Sequence, residues 1–315
     1  MRSSIRPVFG VLLAIVVAAC NGPAGETGNG RLKVVATTTQ VGSVAREIGA
    51  DAIDLTVLLA PGAEAHDYEM TPSAAAAVED ADLLLRSGAG LESWLDEALE
   101  TIGGPDLARD MSHGVSLHEP IGADEEGHDE HAEDEHGLDP HYWLSAPNAM
   151  LMVANVRDAL IEADPENAAT FEERAAELLT RLEEADAQIR AWMAEIPDER
   201  RAIVSNHDAL GYFIEEYGLR FVGSIFPSLD VAAEPSAGEL AALVDTIRDE
   251  GVAAIFSESA VNPDLAEAVA AETGAIVVED PLYTDSLGPD GSGADTLDGM
   301  LLHNADVIRA ALAED

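Results

Sequence analysis

Cysteine is nearly absent from this 315-residue chain: Cys20 is the only one. A single thiol excludes an intramolecular disulfide framework and a cysteine-rich zinc site alike. Basic side chains are also scarce, 16 Lys and Arg against 61 Asp and Glu, for a formal charge of −45. Such a surface repels phosphate backbones, which sets nucleic acid aside as a partner. It favours cations nearby, although an acid excess spread along the whole chain first of all serves solubility. Past residue 20 no apolar run approaches the roughly 20 residues needed to cross a bilayer. Missing too are a Gly-x-x-x-x-Gly-Lys-Ser/Thr phosphate loop, a His-Glu-x-x-His helix and a serine nucleophile elbow. The chain therefore carries no nucleotide-driven motor of its own, and the common hydrolase signatures are not there.

At the N-terminus, Arg2 and Arg6 precede the apolar run Val8 to Ala19, which ends in Val17-Ala-Ala-Cys20. That is the pattern of a secretory signal, too short for a membrane span. Asn21 to Gly30 follows as a Gly-rich polar tether. An ordinary secreted protein with an incidental cysteine near its cleavage point is the alternative reading.

From Leu32 the pattern is that of an α/β protein. A short β-branched segment at Leu32 to Thr38 and apolar strand candidates at Asp54 to Leu59 and Ala81 to Arg86 alternate with helical spacing at Val41 to Ile48, Ser73 to Asp80 and Leu91 to Ile102. Alternation of this kind predicts a mostly parallel sheet with covered faces. A second alternating unit begins after Pro197, with strands expected at Arg201 to Ser205, Arg220 to Ile225, Val252 to Phe256 and Ala275 to Glu279. Helices at Leu210 to Tyr217, Ala237 to Glu250, Pro263 to Glu272 and Leu297 to Leu312 separate or follow them. Between the halves lie a helix over Pro147 to Ala163 and a run from Glu166 to Glu195 without Gly or Pro. At 1.5 Å per residue such a helix is about 45 Å long, enough to run the length of a two-lobed molecule.

His66, His141, His207 and Asp285 each sit in a loop-like stretch beside a strongly periodic segment. Three of them follow predicted strands, where open α/β sheets bind their ligands. Three imidazoles and a carboxylate suit a borderline divalent cation such as Zn²⁺, held by four ligands. Asp280 and Glu258 are rival carboxylates, Glu258 read as structural or supporting. Asp67, Asp139 and Asp208 neighbour the three histidines and could hold their second ring nitrogens. His303, inside the last helix, reads as an ordinary histidine. A separate acidic segment carries His128, His131 and His136 within nine residues, without hydrophobic side chains to build a core.

These stretches, Pro61-Gly to His66-Asp-Tyr-Glu-Met-Thr-Pro72, Asp139-Pro-His141-Tyr-Trp-Leu, His207-Asp-Ala-Leu-Gly-Tyr-Phe and Tyr283-Thr-Asp285-Ser-Leu, resemble those of the zinc/manganese solute-binding proteins of ABC importers. The resemblance, to the zinc-uptake type, covers nearly all of the chain after the signal. It implies two similar α/β lobes joined by one long rigid helix, with a single metal ion in the interlobe cleft. Carried over by motif, the ligands are His66, His141, His207 and Asp285. The manganese type generally has an acidic residue where His207 stands, so the resemblance implies Zn²⁺, with Mn or Fe as the alternative. The N-terminal segment resembles a bacterial lipoprotein signal, cleaved before Cys20, which then carries the lipid anchor.

The implied organisation is a signal over 1–19, an anchored tether over 20–31 and an N-terminal lobe over 32–147 containing a His-rich acidic loop at 113–138. A helical region over 148–198 and a C-terminal lobe over 199–315 complete it. The expected function is that of a monomeric, extracytoplasmic, lipid-anchored receptor passing Zn²⁺ to a permease driven by a cytoplasmic ATPase, with additional weak ions on the His-rich loop. A zinc hydrolase, with Asp285 as general base and water as fourth ligand, is the competing class.

Overall fold

A computed structural model of the protein describes residues 30–66, 68–102, 107–122, 137–226 and 235–313. Short aliphatic segments form two four-stranded sheets, parallel throughout. The first contains β1 (Leu32–Ala36), β2 (Ile53–Val57), β3 (Leu83–Arg86) and β4 (Ala108–Asp110), in the order β2-β1-β3-β4. The second contains β5 (Ala202–Ser205), β6 (Arg220–Ser224), β7 (Ala254–Glu258) and β8 (Ile276–Leu282), in the order β6-β5-β7-β8. The two orders are the same, so the halves repeat one topology. In register, Val34 pairs with Leu55 on one side and Leu83 on the other, and Val204 pairs with Ile255. The central strands β3, β5 and β7 are apolar and largely buried, as parallel strands covered on both faces must be.

Helices cover the faces. In the first lobe these are α1 (Thr39–Gly49), α2 (Pro72–Glu79) and α3 (Ser93–Ile102); α4 (Ala146–Ala163) and α5 (Ala168–Met193) follow. The second lobe adds α6 (Gly211–Tyr217), α7 (Ala237–Glu250), α8 (Asp264–Thr273) and α9 (Leu297–Ala313). Local chemistry sets their ends. Thr38 and Thr71 accept hydrogen bonds from the N–H groups of Val41 and Ala74, and Ser236 with Glu239 forms a reciprocal capping box on α7. Gly251 ends α7 in the left-handed region, φ 65°, which a residue with a Cβ adopts at a cost.

Helix α5 is 26 residues long, about 39 Å by its rise. Its buried stripe of Phe171, Ala175, Leu178, Leu182 and Ile189 packs into one core with residues of both lobes, among them Leu85, Trp143, Phe213 and Leu301. Arg181 of α5 bonds Glu47 on α1 and, at 3.1 Å, Asp298 on α9. One helix is thus tied to both lobes. The outer sheet faces carry smaller clusters: Val35, Leu84, Leu95 and Leu99 in one lobe, Val204, Ile255, Leu243 and Ile247 in the other. Strand β4 was not foreseen, since its three residues, Ala108, Arg109 and Asp110, show no periodicity. No described helix is long and apolar enough to cross a membrane.

Candidate metal centre

The segments beyond β2, β5 and β8 and the turn ahead of α4 carry the candidate ligands. His66 lies beyond β2, on a loop whose turn at Gly62 has φ 77°; the Gly62 N–H donates to Ser286 Oγ of the other lobe at 2.8 Å. His141 opens the short 3-10 turn Tyr142–Leu144 ahead of α4. His207 follows β5, with Ser205 Oγ donating to its carbonyl at 2.7 Å. Asp285 follows β8, and the nearby Leu287 N–H donates to Thr39 Oγ1 of the first lobe at 2.8 Å.

The four side chains converge, with one donor atom from each lying within 4.8 Å of all the others. His66 Nε2 is 3.2 Å from His141 Nε2 and 3.6 Å from Asp285 Oδ1. His141 Nε2 is 3.1 Å from Asp285 Oδ1, and His207 Nε2 is 3.5 Å from Asp285 Oδ2. Four tetrahedral donors bonded to one ion at ~2.1 Å stand about 3.4 Å apart, so these spacings fit a single transition-metal ion. His207 Nε2 is buried without a hydrogen-bond partner, a nitrogen that a metal ion can take up once its proton has left. His141, His207 and Asp285 are fully enclosed, whereas 13% of the His66 side chain is exposed.

Carboxylates behind the ring hold the imidazoles in place. Asp139 Oδ1 accepts from His141 Nδ1 at 2.7 Å and from its backbone N–H at 2.9 Å, which leaves Nε2 for the ion. Glu258 Oε1 accepts the His207 N–H at 3.0 Å. Its Oε2 approaches His207 Nδ1 to 2.6 Å, off the N–H axis, so this contact is one of charge more than of an aligned hydrogen bond. Burial disfavours a charged His141, but the bonds to Asp139 and Asp285 outweigh it and push the pKa up to about 10. For His207 burial likewise opposes the cation, and Glu258 with Asp285 raises it to about 9. Burial also works against the Asp285 anion, yet the surrounding histidines, His207 foremost, hold the carboxyl well below the usual carboxylate range. Glu64 bonds the His66 N–H at 3.1 Å, and burial followed by the Asp285 charge pushes its carboxyl upward.

The structure therefore brings together the four residues singled out in the sequence and separates the others. Asp280 is exposed on β8, away from the cluster. Glu258 stands behind His207, and Asp208 accepts the Gly122 N–H instead of bonding a ring nitrogen. His303 Nε2–H donates to the Pro281 carbonyl oxygen, 3.0 Å away. Cys20, Asp67, His128, His131 and His136 lie outside the described residues. Sequence reasoning passed over Glu64, which lies two residues before His66 and was open to the same local reading as Asp139, and over Gln40 and Thr284, which only a pairing of distant segments could have found: they are 244 positions apart yet bonded.

A family model described as "Zinc-uptake complex component A periplasmic" matches residues 34–311. The manganese-binding lipoprotein MntA of Halalkalibacterium halodurans is 32% identical over 309 residues, 96% of this chain and 97% of that protein. The iron-binding protein YfeA of Yersinia pestis is 30% identical over 300 residues, 95% and 92% of the two chains. The zinc-binding lipoprotein AdcA of Streptococcus pneumoniae is 29% identical over 280 residues, 88% of this chain and 53% of its own length. Among solved structures, the periplasmic zinc-binding protein TroA from Treponema pallidum matches with a TM-score of 0.80 at 28% identity, covering 90% of this chain and 100% of that one. With that match running through both lobes and the donor cluster lying where they meet, the chain belongs to the zinc-uptake component A family, the substrate-binding proteins of ABC importers, and is a metal-binding receptor and not an enzyme.

Proposed function

We propose that the protein is an extracytoplasmic receptor that captures one Zn²⁺ between His66, His141, His207 and Asp285 and delivers it to an importer permease, whose cytoplasmic ATPase supplies the energy. The observation that carries this reading is His207 Nε2, buried, unpartnered and 3.5 Å from Asp285 in a ring of donors at tetrahedral spacing. Three imidazoles with one carboxylate shift preference from harder ions toward Zn²⁺. Cys20 is the proposed lipid anchor, in keeping with the lipoprotein names of MntA and AdcA, and the receptor is proposed to act as a monomer. The acidic segment bearing His128, His131 and His136 is proposed to collect weakly held zinc. Deleting residues 122–136 should then lower total zinc stoichiometry and leave one tight ion; loss of the tight ion refutes that division.

A manganese or iron cargo is the second reading, and one observation favours it. Both Asp285 oxygens face the ring, Oδ1 toward His66 and His141 and Oδ2 toward His207. A bidentate carboxylate raises the coordination number toward what harder ions prefer. MntA and YfeA, named for manganese and iron, share the length of the chain. Binding alone does not separate the readings, because Zn²⁺ outcompetes Mn²⁺ at almost any such site. The deciding experiment pairs metal content and Zn²⁺/Mn²⁺ competition on the form starting after Cys20 with uptake of radiolabelled Zn²⁺ and Mn²⁺ by cells with and without the gene. Zinc uptake lost with the gene supports the first reading; manganese uptake lost while zinc uptake persists overturns it.

A further inference from the structure

Between the two C-lobe candidates, His207 and Asp285, stands a residue that touches the supports of both and is held by the opposite lobe. Thr284 is 1% exposed. Its carbonyl oxygen accepts from Gln40 Nε2 on α1 at 3.1 Å and from Trp143 Nε1, two residues after His141, at 2.9 Å. A carbonyl oxygen has two lone pairs, and here the first lobe fills both. The peptide joining Thr284 to Asp285 is thereby fixed in orientation by the N-terminal lobe, and with it the direction in which Asp285 leaves the chain.

The Thr284 hydroxyl works on the other ligand. Its single proton has two acceptors in range, Glu258 Oε2 at 2.7 Å and Asp285 Oδ2 at 3.4 Å, and the shorter bond takes it. Glu258 is the carboxylate that accepts the His207 N–H and lies 2.6 Å from its Nδ1. Remove the hydroxyl, and that buried carboxylate loses its only hydrogen bond from outside His207 among the described residues.

We propose that Thr284 is a positioning residue for the ion, a relay through which the N-terminal lobe's grip on one carbonyl sets His207 by way of Glu258 and Asp285 by way of the peptide bond. The proposal rests on the metal-receptor reading above and extends it to release. A shift of the Thr284 loop away from Gln40 and Trp143 frees that carbonyl, and His207 and Asp285 then lose their alignment together, in one motion instead of two separate ligand dissociations. Specificity for this residue type is part of the claim: serine keeps the hydroxyl, valine keeps the shape and loses it.

The test is Zn²⁺ dissociation into excess chromophoric chelator, by stopped flow, from the form starting after Cys20 and from its Thr284→Val, Thr284→Ser and Trp143→Phe variants. Absorption spectra of the Co²⁺-loaded proteins accompany it as a readout of ligand geometry. Losing an outer-shell partner weakens metal binding about 10- to 100-fold, and release from Thr284→Val should accelerate by that range, with a changed Co²⁺ spectrum. Thr284→Ser should stay within about threefold of wild type, and Trp143→Phe, which empties one lone pair of the Thr284 carbonyl, should release several-fold faster. Wild-type rates and spectra in Thr284→Val, or equal impairment in the Val and Ser variants, overturn the relay while leaving the metal site standing. Should Thr284→Val not fold, an unchanged rate in Trp143→Phe decides against the proposal by itself. A wild-type protein that holds neither Zn²⁺ nor Co²⁺ overturns the receptor reading, and the relay with it.

Discussion

Ion capture at this site should expel protons, and their number follows from the geometry. Without an ion, His141 and His207 face Asp285 and their backing carboxylates Asp139 and Glu258, which push their pKa values up to about 10 and about 9. At pH 7.5 both rings are then imidazolium, while a metal accepts only the neutral ring. Asp285, held well below the usual range, is already ionised and contributes none. Each bound ion therefore displaces about two protons, and affinity should rise about 100-fold per pH unit from roughly pH 7 to 9, flattening above. Calorimetry in buffers of different ionisation enthalpy counts these protons directly. The stability linkage has the opposite slope. A histidine whose folded pKa is raised stabilises the ion-free fold fully below its unfolded value of ~6.5, and that contribution is lost as pH rises through 9 and 10. Melting of the ion-free protein should fall across this window, and the stabilisation conferred by zinc should widen. A proton count near zero at pH 7.5 refutes the argument, since it means that the carboxylates do not hold the imidazoles charged.

His207→Ala should lose far more zinc affinity than His303→Ala, because His207 Nε2 points into the donor ring while His303 bonds the Pro281 carbonyl; equal losses in a competition titration count against the ligand assignment. Leu182→Ala, in the fully buried stripe of α5, should cost about 2–5 kcal/mol in denaturant unfolding, whereas the exposed neighbour Glu183→Ala should stay within about 0.5 kcal/mol. With a formal charge of −45, the fold repels itself. Raising salt from 0.01 M to 1 M shortens the screening length from about 30 Å to about 3 Å, so the melting temperature should climb by several degrees, and a flat response means that the acidic groups are already neutralised in pairs.

The fold was legible wherever one period dominated. Leu32-Lys-Val-Val-Ala and Ala202-Ile-Val-Ser are short, mostly apolar strands bounded by turns, and the 26-residue α5 announced itself by the run from Glu166 to Glu195 without Gly or Pro. Strand β8 was foreseen to end at Glu279 but runs to Leu282, because Pro281 sits where its missing N–H costs the sheet little, while Glu258 pairs across to Leu282. That His66, His207 and Asp285 would lie near one another was legible because each sits just beyond a strand end. Their supports were not. That His207 leans on Glu258 and not on its neighbour Asp208 depends on β5 lying beside β7, a pairing across about fifty residues that no local pattern encodes. Asp139, two residues from His141, shows the reverse case: a carboxylate so close in sequence reaches the ring and the backbone N–H at once.

How the cleft divides its ligands constrains any release mechanism. His66 and His141 come from the first half of the chain, His207 and Asp285 from the second, so an ion held by all four, as proposed, would cross-link the lobes. An ion can shift a two-lobe equilibrium only by binding one arrangement better than the other, and a split donor set provides that difference, since a parted cleft leaves two ligands on each side. Against wide opening stand α5, tied by Arg181 to Glu47 and Asp298, and a core that runs unbroken from Leu85 through Leu182 to Leu301. Hinging the lobes far apart would tear that core. Under the proposed function, the motion that frees the ion should be confined to the contacts above that core, where Gly62 bonds Ser286, Thr39 bonds Leu287, and Gln40 with Trp143 bonds Thr284. A few hydrogen bonds of about 1 kcal/mol each are within reach of a docking partner; the buried core below them is not.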